Sequence, residues 1–212
     1  MELYFSVLAA LFSVINPLGT VPIFVGLTKS DTKKTRNGVA FWAALNVFII
    51  LIISFFLGKY LLMFFGISLP ALKIAGGLII TSSGFSLLTG SFTEHKGMKK
   101  REKDDAFNRS EISLTPLAIP MLAGPGTISL LITYNEEYGG FGDRIYILTA
   151  MISIGILIYL VLKSSFLIVK IMGASGINAL SRIIGFIVIA IGIEYIVSGC
   201  SVIIQLLLIE DQ

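Results

Sequence analysis

Charge is scarce in this sequence. Asp, Glu, Lys and Arg make up 14% of its 212 residues, where a soluble domain carries roughly a quarter. A surface so poor in charge excludes an ordinary water-facing globule, and lipid is the surrounding that fits. Cysteine is nearly absent too. Cys200 stands alone in an apolar run, which excludes an internal disulfide. The one histidine, His95, has no second His or Cys nearby and reads as solvent-exposed rather than as a metal ligand. No apolar run holds a His/Asp/Glu cluster with ligand spacing, so no metal, cofactor or enzymatic activity is expected.

What is present is long apolar runs. Leu3 to Thr28, Asn37 to Gly58, Ile74 to Thr93, Ile112 to Asn135 and Ile145 to Leu162 carry no charge. A sixth, Ile183 to Ile209, is interrupted once, by Glu194. Each is near or above the roughly 18 residues that cross a bilayer as a helix. The short alternating pattern of an outer-membrane barrel is missing. The start, Met1-Glu2-Leu3, lacks a positive region, and its run is too long for a cleaved signal, so it is expected to stay as helix 1. The expectation is an all-α membrane protein of six transmembrane helices in the inner membrane of a bacterial or archaeal cell.

The net charge of +3 sits in connecting loops, so it reads as a topology signal and not as a nucleic-acid surface. Lys29, Lys33, Lys34 and Arg36 follow helix 1. Lys96, Lys99, Lys100, Arg101, Lys103 and Arg109 follow helix 3. Lys163, Lys170 and Arg182 lie between helices 5 and 6. Lys59, Lys73 and Arg144 fall on the other side. The richer side is cytoplasmic by the positive-inside rule. Both termini are then outside, and the charged segment 93–111 is a cytoplasmic linker between units 1–92 and 112–212.

Those two units resemble each other at an offset of 107 to 108. Gly66, Ser68, Ala71, Leu72, Gly77 and Gly84 find Gly173, Ser175, Ala179, Leu180, Gly185 and Gly192. Each unit holds three helices, an odd number, so the second enters the membrane upside down. Two inverted three-helix repeats are an architecture of secondary transporters.

The repeats share a break. Asn16-Pro17-Leu18-Gly19-Thr20 lies mid-way along helix 1, and Gly124-Pro125-Gly126-Thr127 mid-way along helix 4. Pro17 has no N–H for the carbonyl of Ser13, and Pro125 none for that of Met121; Pro22 and Pro120 free those of Leu18 and Pro116. Such backbone survives at this depth only when buried in protein or lining a cavity. Half-helix N-termini attract a carboxylate, and freed carbonyls attract a cation. The pair therefore suits a small zwitterionic solute, with Asn16, Pro17, Gly19, Thr20, Gly124, Pro125, Gly126 and Thr127 as the expected binding residues.

Other polar residues fall inside the spans. Glu194 is the expected coupling carboxyl for a proton or sodium gradient. Asn46 in helix 2 is expected to support the site by hydrogen bonding between helices. Thr81, Ser82, Ser83 and Ser86, with Gly76, Gly77 and Gly84, read as a close-packing face. Lys73 and Arg182 are expected to snorkel, and Trp42 and Tyr60 to sit at the interfaces.

The segments Ile15-Asn16-Pro17-Leu18-Gly19-Thr20-Val21-Pro22-Ile23-Phe24 and Pro116-Leu117-Ala118-Ile119-Pro120-Met121-Leu122-Ala123-Gly124-Pro125-Gly126-Thr127 resemble the two signatures of the MarC family, and Ile74-Ala75-Gly76-Gly77-Leu78 is similar to its glycine pair in helix 3. The resemblance spans residues 1 to about 205. It implies a multi-pass membrane protein, and transport of small neutral amino acids of the glycine and alanine class by alternating access. Export of another small solute, or a non-transporting membrane role, is the alternative. A thiol–disulfide electron carrier of similar layout needs a cysteine pair at the breaks, where this chain has Asn16 and Gly124.

Overall fold

The computed structural model describes residues 1–90, 117–118 and 122–210. The linker 93–111 with His95, and the prolines at 116 and 120, lie outside the described residues. Helix α1 runs Glu2–Ile15 and stops at Asn16, whose φ of 45° is left-handed. Asn16 also caps α2, Pro17–Thr28, with proline in its first turn, where the missing N–H costs nothing. Helix α3, Lys33–Phe65, is capped by Thr32 and ends at Gly66 with φ 64°. Helix α4, Leu69–Thr89, is capped by Ser68 and ends at Gly90 with φ 82°. Helix α5 spans Pro125–Glu137 and α6 spans Phe141–Lys163. Helix α7, Ser165–Glu210, is broken at Gly173, where φ is 65°.

Among the described residues there is no strand. Four helices are long and apolar enough to cross a membrane: Lys33–Phe65, Leu69–Thr89, Phe141–Lys163 and Ser175–Leu208. The pair α1 and α2, bent by 40°, makes a fifth. Helix 4 is described in full only from Pro125 onward, as α5. One expectation changes. The connection between helices 5 and 6 is helical from Ser165, not a loop, and Gly173 turns the chain there. Glycine makes that turn without the strain a side chain would bring.

Helices α4 and α7 lie antiparallel in intimate contact. A methyl group on Gly77 would stand 2.6 Å from the carbonyl oxygen of Gly192, and one on Gly84 2.8 Å from that of Gly185. Gly199 likewise faces the Pro70 carbonyl. Glycine is required because backbone meets backbone. Ile80, Leu87, Ile184 and Val188 form a small core beside this seam, with Phe12, Val14 and Leu18 packed on it. A larger core joins Leu11 and Ile15 of α1, Leu51 and Phe55 of α3, Leu130 of α5, and Met151 and Ile158 of α6. Large apolar side chains such as Phe64, Phe186 and Ile171 face outward, as a lipid-facing surface requires.

Gly84→Val should separate α4 from α7 and cost about 1–3 kcal/mol. Gly26, with open space around it, should accept alanine with no loss. Thermal unfolding of the two variants in detergent checks this pair; equal melting temperatures would remove the seam from the stability of the fold.

Candidate functional site

The break in helix 1 is set by local chemistry. With Pro17 unable to donate, the last N–H of α1 is that of Asn16, bonded to the Phe12 carbonyl at 2.9 Å. Asparagine tolerates the left-handed conformation better than most residues. Its Oδ1 accepts from the Gly19 N–H at 3.2 Å and so caps α2. Asn16 is 1% exposed. Its Nδ2 has no hydrogen-bond partner among the described residues. Burying an amide N–H without a partner costs about 1–3 kcal/mol. Thr20, also buried, directs its hydroxyl at the Asn16 carbonyl, 3.5 Å away.

The second break has the same layout with a different cap. Gly124 is extended (φ −78°, ψ 170°) and precedes Pro125 at the start of α5. Its carbonyl accepts from Thr127 N at 3.0 Å and Ile128 N at 3.2 Å. Just before it, the Ala123 N–H reaches back five residues to Ala118 at 2.8 Å. Gly126 and Thr127 are buried, Gly124 is half-buried and Pro125 is exposed. Ile15 and Ala123, which precede the two breaks, belong to one core.

The glycines leave less room than their small size implies. A methyl group on Gly19 would collide with Asn16 Nδ2, and one on Gly126 would stand 2.8 Å from Ile80 Cγ1. Both spaces are filled by the protein itself. A groove of about 410 Å³ opens elsewhere, between α3 and α6, with an apolar lining that includes Phe41, Phe48, Ile152 and Tyr159.

Asn46 is half-buried on α3. Glu194 is exposed on α7, on the face turned away from Gly185 and Gly192, and it does not join the buried break at Asn16. Lys73 does not snorkel. It is buried and forms an ion pair with Glu137, while its Nζ also donates to Ser198 Oγ at 2.9 Å. This link ties α4, α5 and α7 together, and composition gives no sign of it. The only available signal is positional: Lys73 begins one uncharged run and Glu137 follows another. At the opposite end of α2, Arg36 donates to the Thr28 and Lys29 carbonyls at 3.0 Å each. Its guanidinium lies 3.7 Å above the Phe166 ring. Of the polar stretch of α4, Thr81 packs against Gly192 while Ser82 is exposed; Gly76 lies against Ser129, whose hydroxyl donates to the Leu72 carbonyl at 3.2 Å.

Long apolar helices, one of them broken at a buried Asn-Pro, define a multi-pass α-helical integral membrane protein. The profile of the MarC family integral membrane proteins matches residues 1–204. UPF0056 membrane protein YhcE of Escherichia coli is 35% identical over 196 residues, covering 92% of this chain and 91% of that one. UPF0056 membrane protein MJ1677 of Methanocaldococcus jannaschii is 38% identical, covering 94% and 97%. UPF0056 inner membrane protein MarC of Salmonella typhimurium is 33% identical, covering 93% and 94%. The chain belongs to the MarC family. No solved structure matches it.

Asn16→Ala should lose the cap, about 1 kcal/mol, and carry a further ~1–2 kcal/mol for a left-handed alanine. Asn16→Gly should cost only a few tenths for the cap, since glycine takes positive φ freely. Unfolding midpoints of both variants check the ordering; an alanine variant as stable as the glycine one would refute the capping role.

Proposed function

We propose that this protein is a secondary transporter of small neutral amino acids, of the glycine and alanine class, working by alternating access in an inner membrane. The observation that carries the reading is the buried, unpartnered Nδ2 of Asn16, set at the start of a buried half-helix. A substrate carboxylate is the acceptor that suits it, together with the positive end of α2. The Ser13 carbonyl that Pro17 leaves free is the acceptor for the substrate ammonium. Thr20 and Thr127 each supply a buried hydroxyl in the first turns after the two breaks. Little space remains for a side chain, which restricts the substrate to the smallest amino acids.

The contacts of the glycine seam support an inverted repeat. An offset of 108 turns Gly77 into Gly185 and Gly84 into Gly192. The contact of Gly77 with Gly192 then becomes that of Gly185 with Gly84, and both are present. The contact of Gly84 with Ile189 becomes that of Gly192 with Thr81, also present. Gly66 and Gly173, matched at an offset of 107, both have positive φ. Repeats related in this way exchange conformations to give inward- and outward-open states. With both termini outside, the Lys73–Glu137–Ser198 link closes the outer end of α4, α5 and α7. Arg36 then fastens α2 at the cytoplasmic end. Ile80 over Gly126 belongs to the closed arrangement, and substrate entry requires α4 to withdraw from α5.

Pure protein in liposomes should take up labelled glycine or alanine under a proton or sodium gradient. No uptake of any small neutral amino acid under either gradient would sink the reading. Asn16→Gly keeps the backbone conformation but removes the amide, a hydrogen bond to a charged group worth about 1.5–3 kcal/mol. Uptake by that variant should fall roughly ten- to hundred-fold, with folding retained.

A further inference from the structure

We infer that the protein is a homodimer in which the exposed face of α7 around Glu194 packs against the same face of a second copy. The inference does not depend on the transport reading.

Helix α7 has two seams. The first, Gly185, Gly192 and Gly199, repeats every seven residues and is occupied by α4. The second lies on the opposite side of the helix. Ile183, Ile187, Ala190, Glu194, Val197, Ser201, Ile204 and Leu208 follow one another at alternating steps of four and three, and all eight are exposed. That 3.5-residue period is the pattern of left-handed helix pairs, which predominate among membrane helices. Only 17% of the most apolar window of Ser175–Leu208 is buried, against 33–44% in the other three spans. The helix with the longest apolar course is thus the least covered by its own chain.

Glu194 shows why this face does not simply meet lipid. Its neighbours in the seam, Gly192 against Gly77 and Gly199 against Pro70, set its depth inside the span Leu69–Thr89. Acyl chains offer its carboxyl no hydrogen bond, and an ionisable group at that depth is costly unless it meets a polar partner. A polar group on another helix removes that cost. A two-fold axis along the membrane normal supplies it without a second sequence. Two parallel copies of α7 bring each residue of the stripe opposite itself at the same depth. Glu194 then meets Glu194, each carboxyl offering the other a hydrogen-bonding partner, and Ser201, whose hydroxyl donates to its own Ser198 carbonyl at 2.9 Å, comes opposite Ser201. Ala190, one turn away, is small enough to let the backbones approach.

Cysteine cross-linking of the full-length protein in native membranes tests this. In a Cys200→Ser background, Val197→Cys and Ser201→Cys should each give an oxidised adduct of twice the monomer mass. The yield should be roughly tenfold above that of Ile156→Cys, an exposed position on α6, because only the stripe is held in register with its copy. Equal yields at all three positions, or no adduct from the stripe, would overturn the dimer. An adduct that mass spectrometry resolves into this chain plus a different protein would overturn the choice of a second copy. Adding Glu194→Leu to Val197→Cys should lower the yield at least about threefold, and Glu194→Gln should retain it, since glutamine still hydrogen-bonds across the pair. An unchanged yield with leucine would remove Glu194 from the interface.

Discussion

Backbone touching backbone between α4 and α7 is the contact on which the rest of the fold hangs. Where lipid surrounds helices, there is little hydrophobic gain in bringing them together, and association rests on close van der Waals fit. Gly77, Gly84, Gly185 and Gly192 provide that fit by removing everything beyond the α-carbon. Two long helices are thereby locked antiparallel. The small core of Ile80, Leu87, Ile184 and Val188 forms alongside them, and Phe12 and Leu18 from either side of the first break rest on it. Local chemistry makes the break, and packing beside the seam places it within the bundle.

The two breaks then divide their labour. At Asn16 a side chain caps the half-helix through Oδ1, and its Nδ2 has no partner among the described residues. At Gly124 no side chain caps the half-helix, and the backbone turns through an extended residue instead. The two half-helices therefore begin differently, one on a side-chain cap and one on bare backbone. Polar links at either extremity, Lys73 with Glu137 on one side and Arg36 over Phe166 on the other, hold the helices that flank the breaks.

Much of this was written in plain view. Runs without charge mark the spans because a bilayer forbids charge, and Asn-Pro and Gly-Pro mark the breaks because proline cannot donate. The glycines of α4 announce close packing for the same local reason. Other features depend on which helix ends up beside which. That Lys73 is buried and paired follows from Glu137 and Ser198 arriving beside it, 64 and 125 residues away. The filling of the glycine spaces by Asn16 and Ile80 is also a tertiary outcome, since residue size alone reads such positions as empty. The helical course through 165–172 hides behind Lys170 and Gly173, which in a soluble protein would signal a loop. The outward turn of Glu194 is equally invisible to composition, because a lone carboxyl in an apolar run reads the same on either face of a helix.

Asn16 has a last consequence, and it concerns voltage. Its amide is neutral, as are Thr20, Thr127 and the peptide groups around both breaks. Moving one elementary charge through a membrane potential involves about 2.3 kcal/mol per 100 mV. A neutral cradle holding a ligand whose two charges cancel moves none. Under the transport reading proposed above, the field across the bilayer acts only on whatever ion travels with the substrate, and any electrical signal of turnover counts that ion alone.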